Sequence, residues 1–142
     1  FKERYNGDLA NGLGNFVSRV TKLASQIDFS QINVEKDIDK KVEEKIISTK
    51  KTVYEKLDEF KFHESLGSLW ELIRFGDAYV NAHKSWETKD AKVLFNLIVI
   101  LDNVAFFLEP FLPGTAEEIT SYIRWEGNHL FVKESKNLFP RI

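Results

Sequence analysis

Apolar residues recur three and four positions apart along most of this chain, and clean two-residue alternation is almost absent. That period lines one face of an α-helix, not one face of a strand, so the fold class is all-α. In the first segment Leu9, Leu13, Phe16, Val20, Leu23 and Ile27 form a stripe that predicts a helix from near Lys2 to near Ile27, with Gly12 and Gly14 leaving room for a neighbouring backbone. The period lapses over residues 28–34. Ile38, Val42, Ile46, Val53 and Leu57 restart it among many Lys and Glu, as on a half-exposed second helix. Phe62, Leu66, Leu69, Trp70, Ile73 and Val80 make a third stripe, which fades at His83, Lys84 and Ser85.

Thr88 suits the N-cap of a fourth helix, with Asp90 in a first turn where negative charge complements the helix dipole. From Val93 to Leu108 that helix is apolar on nearly every side, which predicts the central, most enclosed position. The wider apolar run from Val93 to Leu112 is interrupted by Asn96, Asp102, Asn103, Glu109 and Pro110, as suits a core helix and not a bilayer span. Pro110 and Pro113 end it. Thr115 with Glu118 three residues on forms a capping-box pattern for a short fifth helix, ending near Trp125, Glu126 and Gly127, and the segment from His129 to Ile142 reads as an irregular tail. The expected architecture is an antiparallel bundle of four long helices plus a short fifth. Its 142 residues suffice for one core and are too few for two well-sized ones, so one domain spans residues 1–142.

Chemistry is sparse. Three His (His63, His83, His129) lie far apart and there is no Cys, which removes disulfides, thiolate metal sites and thiol nucleophiles. Glu126-Gly127-Asn128-His129 spells the E-x-x-H of di-iron bundles, but Gly127 is placed to end a helix, no second copy exists, and a surface turn is the simpler reading. No catalytic residue, metal ligand or cofactor site is assigned. A net charge of −2 from 20 basic and 22 acidic residues argues against non-specific coating of a polyanion or an anionic membrane, so any nucleic-acid contact must be local.

Two polar features remain. Asn15 and Arg19 are four apart on one face of the first helix, off the apolar stripe. A planar amide beside a planar fork of donors suits the edge of an unstacked base, although such residues also occupy ordinary solvated helix faces. Trp86, flanked by Lys84, Ser85, Glu87 and Lys89, is either a staple over the end of the bundle or an exposed stacking platform for a single-stranded loop.

The run Arg4-Tyr5-Asn6-Gly7-Asp8-Leu9-Ala10-Asn11-Gly12-Leu13-Gly14-Asn15, followed by Ser18-Arg19, resembles the R-x-N-x-D-L-A-N-x-L-G-N-x-x-x-R opening of the anticodon-binding domain of methionyl-tRNA synthetases. The valine, isoleucine and leucine synthetases share the helical domain but usually show an N-K-L-W-N-like run there. Pro110-Phe111-Leu112-Pro113-Gly114-Thr115-Ala116-Glu117-Glu118-Ile119 and the closing Leu138-Phe139-Pro140-Arg141-Ile142 are similar to the same family, so the resemblance spans nearly the whole chain. It implies a bundle that holds the CAU anticodon loop of methionine tRNA beside a separate catalytic domain. By motif position it places anticodon-binding roles on Asn15, Arg19 and Trp86, with Ser85 where the family commonly has Pro. The class I activation motifs H-I-G-H and K-M-S-K-S are absent, so the chain is expected to bind without catalysing. ATP, and Zn or Mg, would belong to the longer protein.

Phe1 in place of a starting Met, and no Met anywhere, read as a piece of something longer. No apolar signal-like segment opens the chain, and a cytoplasmic, non-membrane setting is expected. Two alternatives remain: the equivalent domain of another class I synthetase, which a different tRNA preference would reveal, and a helical protein-interaction domain, which would not bind RNA.

Overall fold

The computed structural model describes residues 12–83, 87, 90–127 and 129–135. Five helices are present among them: α1 (Asn15–Ala24), α2 (Lys40–Asp58), α3 (Phe62–Ala82), α4 (Ala91–Leu108) and α5 (Pro113–Ser121). Residues 12–14 form a wide π-helical turn into α1. The expected helical bundle is the observed one.

α4 is its axis. It contacts each of the other four helices. Leu94, Phe95, Leu97, Ile98, Ile100, Leu101, Val104, Phe107 and Leu108 are all buried, because a helix apolar all round can satisfy itself only by being enclosed. At 18 residues and a mean hydropathy of 1.9 it is long and apolar enough to cross a bilayer, yet 61% of it is buried inside this fold. Its one buried amide, Asn96, is fully engaged. Oδ1 accepts from the Asp39 backbone N–H (2.7 Å) and Nδ2 donates to the carbonyls of Asp37 (3.0 Å) and Lys92 (2.8 Å), tying the approach to α2 onto α4.

α2 and α3 pack along each other as a helical hairpin. Asp39 caps α2, accepting from the Lys41 N–H, and the half-exposed face foreseen for this helix follows, with only Val42, Thr49 and Val53 buried. α2 closes on Phe60, whose φ of 61° is a left-handed cap usually given to Gly. On α1 the buried residues are Phe16, Val17, Val20, Thr21 and Ala24, with Leu23 half-buried; Ile27, past its end, is half-buried too.

Several boundaries differ from those expected. α1 stops at Ala24, three residues before Ile27, and its C-cap Ser25 folds its hydroxyl back onto the Lys22 carbonyl (2.9 Å). Its expected residues 2–11 lie outside the described residues, as does Thr88. The N-cap of α4 is Asp90, whose carboxylate accepts from the Lys92 N–H (2.9 Å). α5 starts at Pro113, ahead of the Thr115–Glu118 box, because a Pro at N1 is preset for a helix and has no N–H to satisfy. Glu118 instead accepts from the Tyr122 hydroxyl (2.9 Å).

The largest correction lies beyond α5. The fifth helix was expected to run to residues 125–127 before an irregular tail, but it ends at Ser121 and the chain forms an antiparallel hairpin of β1 (Ile123–Glu126) and β2 (His129–Val132). Gly127, at φ 63°, supplies the turn. Ile123 and Leu130 turn inward, Trp125 sets its ring edge-on to Phe95 (6.4 Å), and the Ser135 N–H donates to Thr21 Oγ1 (3.1 Å). Contacts distant in sequence hold this hairpin, so helical periodicity could not reveal it. Glu126 and His129 sit opposite each other at its end, Glu126 paired with Arg124 (3.2 Å).

Candidate nucleic-acid interface

The burial of Phe16, Val17 and Val20 turns Asn15, Ser18 and Arg19 outward, one helical turn of polar groups on the edge of α1. α3 approaches this edge at Gly76, whose missing side chain makes room for Phe16: a Cβ there would lie 2.5 Å from the Phe16 ring. The close approach brings Asp77 and Asn81, themselves four apart on one face of α3, across from Asn15 and Arg19. Asn15, Ser18, Arg19, Asp77 and Asn81 together line an open polar cleft of about 430 Å³.

Arg19 Nη2 donates to Asn81 Oδ1 at 3.2 Å, so the guanidinium plane is held against α3. Half-burial pushes the Asp77 carboxyl above its ordinary range, and the positive charge of Arg19 opposes that shift. The cleft thus offers a fork of donors, a carboxylate and amide groups on two rigid walls, a set able to read the edge of a planar heterocycle.

Below the cleft α3 is anchored by Tyr79. Its hydroxyl donates to Asp39 Oδ2 (3.2 Å), and burial, with the Asp39 charge behind it, pushes the phenol well above its usual range. The exposed His83 ring lies 4.3 Å from that of Tyr79. Among the described residues no group of three or more His, Asp or Glu is arranged to hold a metal ion.

Of the residues singled out from sequence, Asn15 and Arg19 are together in the cleft, and Trp86 lies outside the described residues. Sequence reasoning missed Asp77, Asn81 and Ser18. Asp77 and Asn81 did carry a signal, a polar pair at i and i+4 within a largely apolar third helix, but nothing local says which helix they face.

The family profile for the anticodon-binding domain of tRNA ligases matches residues 39–139. The chain belongs to that family. Its relatives include the methionine–tRNA ligase of Methanopyrus kandleri, 35% identical over 135 residues covering 90% of this chain and 20% of the relative. That of Clostridium acetobutylicum is 32% identical over 168 residues, covering 100% of this chain and 26% of the relative. The chain therefore spans a fifth to about a quarter of the length of these relatives. The apo methionyl-tRNA synthetase of Mycobacterium tuberculosis superposes with a TM-score of 0.78 over 99% of this chain and 34% of its own, at 20% identity, a likeness of fold. The methionyl type that the run from Arg4 to Arg19 resembles is the type these relatives represent.

Proposed function

We propose that this anticodon-binding domain is the tRNA-holding module of a methionyl-tRNA synthetase. It grips the CAU anticodon loop of methionine tRNA while a catalytic domain elsewhere in the longer protein activates the amino acid. In this reading Asn15 and Arg19 contact base edges, Trp86 stacks on a loop base, and the chain itself binds without catalysing, in the cytoplasm. The observation that carries the reading is the cleft between α1 and α3. Its volume of about 430 Å³ falls in the range of small-ligand pockets, about 300–1,000 Å³, so a splayed-out base has room to enter. Its walls carry donors and acceptors at fixed positions, as recognition of a single base requires. With a net charge of −2, base-edge and stacking contacts carry the local recognition, and phosphate attraction comes largely from the rest of the synthetase.

The test is a binding titration with two anticodon stem-loops, one carrying CAU and one with a substituted first base. Arg19→Ala should cost about 1–3 kcal/mol against CAU and much less against the substituted loop, so specificity relaxes. Lys50→Ala, on the exposed face of α2, should at most weaken both alike and lower the salt dependence slightly. Equal loss of both loops on Arg19→Ala would make Arg19 a backbone contact and refute its base-reading role.

A further inference from the structure

The wall of the cleft that faces Arg19 belongs to α3, and its two polar residues present different chemistry. Asn81 is engaged with the guanidinium at 3.2 Å. Asp77, one turn earlier on the same face, brings a carboxyl group into the cleft beside the Arg19 donors. A carboxylate accepts hydrogen bonds and offers none, and it repels phosphate. Half-buried, it has given up part of its hydration, so a donor arriving on a bound base would replace what burial removed.

Acceptor beside donors is a pattern with a chemical complement. Along its Watson–Crick edge cytosine presents an amine donor followed by two acceptors, uracil an acceptor, a donor and an acceptor, and guanine an acceptor followed by two donors. Cytosine sets its amine against a carboxylate and its two acceptors against a neighbouring arginine fork, whereas uracil would put a carbonyl oxygen against the carboxylate, and acceptance from the cytosine amine is a recurrent use of Asp and Glu in base recognition. Gly76, packed against Phe16, holds the two walls at one separation, so the match is made on a preformed frame.

We propose that Asp77 is a specificity-determining residue of this cleft, accepting a hydrogen bond from the exocyclic amine of the first anticodon base while Arg19, steadied by Asn81, donates to that base's acceptor atoms. The proposal rests on the anticodon-loop reading of the cleft. It makes the carboxylate on α3 the group that demands an amino-bearing pyrimidine, and the guanidinium on α1 the group that supplies the complementary donors.

The experiment uses the 142-residue chain and three stem-loops identical except at the first anticodon base: cytosine, uracil, and pyrimidin-2-one, which is cytosine without its amine. The wild type should bind the cytosine loop roughly tenfold or more tightly than the pyrimidinone loop, the worth of a hydrogen bond to a charged acceptor. Asp77→Ala should bind the cytosine loop as weakly as the wild type binds the pyrimidinone loop, with little further loss when the amine is removed. Asp77 is half-buried at the surface and burial disfavours its ionised form, so the variant's thermal unfolding should be no lower than that of the wild type. If the wild type favours cytosine over uracil but tolerates loss of the amine, or if Asp77→Ala keeps the full amine penalty, the role of Asp77 is overturned and the anticodon reading stands. If the wild type shows no preference among the three loops, the anticodon reading fails, and the role of Asp77 with it.

Discussion

Gly67 and Gly76 lie in the same helix, α3, and the same substitution should change stability in opposite directions at the two sites. At Gly76 a new Cβ would meet the Phe16 ring at 2.5 and 2.6 Å and Ile100 at 3.4 Å. Carbon atoms in contact sit about 3.5–4.0 Å apart, so the overlap with Phe16 is roughly an ångström. Phe16 is fully buried among the core helices and cannot swing aside, so α1 itself must move away from α3. Such overpacking costs about 1–3 kcal/mol, against roughly 1 kcal/mol regained because Ala is the better helix former. An overlap of that size with a ring that cannot move belongs in the upper half of that range, about 2–3 kcal/mol, so Gly76→Ala should destabilise by about 1–2 kcal/mol net. At Gly67 a Cβ meets nothing within 4 Å, so Gly67→Ala should keep only the helix-propensity gain, up to about 1 kcal/mol. Urea unfolding of both variants should separate their midpoints in opposite directions from the wild type at unchanged slope. Because α1 carries one wall of the cleft, Gly76→Ala should also weaken CAU-loop binding, and Gly67→Ala should not. A Gly76→Ala variant as stable as the wild type would refute the close α1–α3 contact on which the cleft depends.

Trp86→Ala should weaken anticodon-loop binding by about 1–3 kcal/mol with folding nearly unchanged, as for a lost stacking platform; unaltered RNA binding by the folded variant would end that role. The chain should show no methionine-dependent exchange of pyrophosphate with ATP, and activity that survives repurification would contradict a binding-only module. Burial pushes the Asp102 carboxyl above its ordinary value, with the Trp125 indole N–H opposing. The folded state therefore holds the proton more tightly than the unfolded chain, and the ionised form weighs against folding at neutral pH. Asp102→Asn should raise the melting temperature at neutral pH, by a margin that shrinks as pH falls through the raised folded pKa toward the ordinary 3.8; a margin constant with pH would contradict the assignment.

Much of the bundle was legible residue by residue, because helix period and burial on one face are properties of short windows. Leu94 to Leu108 have almost no polar side, and a segment of that kind has nowhere to go but the centre. Asn15 and Arg19 were legible as an outward pair for the complementary reason: Phe16, Val17 and Val20 claim the other side of the turn. The hairpin at Ile123–Glu126 and His129–Val132 was not, since four-residue strands are too short to show alternation. What stabilises them is Phe95, Asp102 and Thr21, roughly twenty to more than a hundred positions away. The site divides the same way. Sequence determined one wall, a donor fork and an amide on α1. Only tertiary packing decided that the opposite wall is Asp77 and Asn81, because which face of α3 meets α1 is set by the fit of Phe16 against Gly76, a contact between residues sixty positions apart that no local pattern encodes.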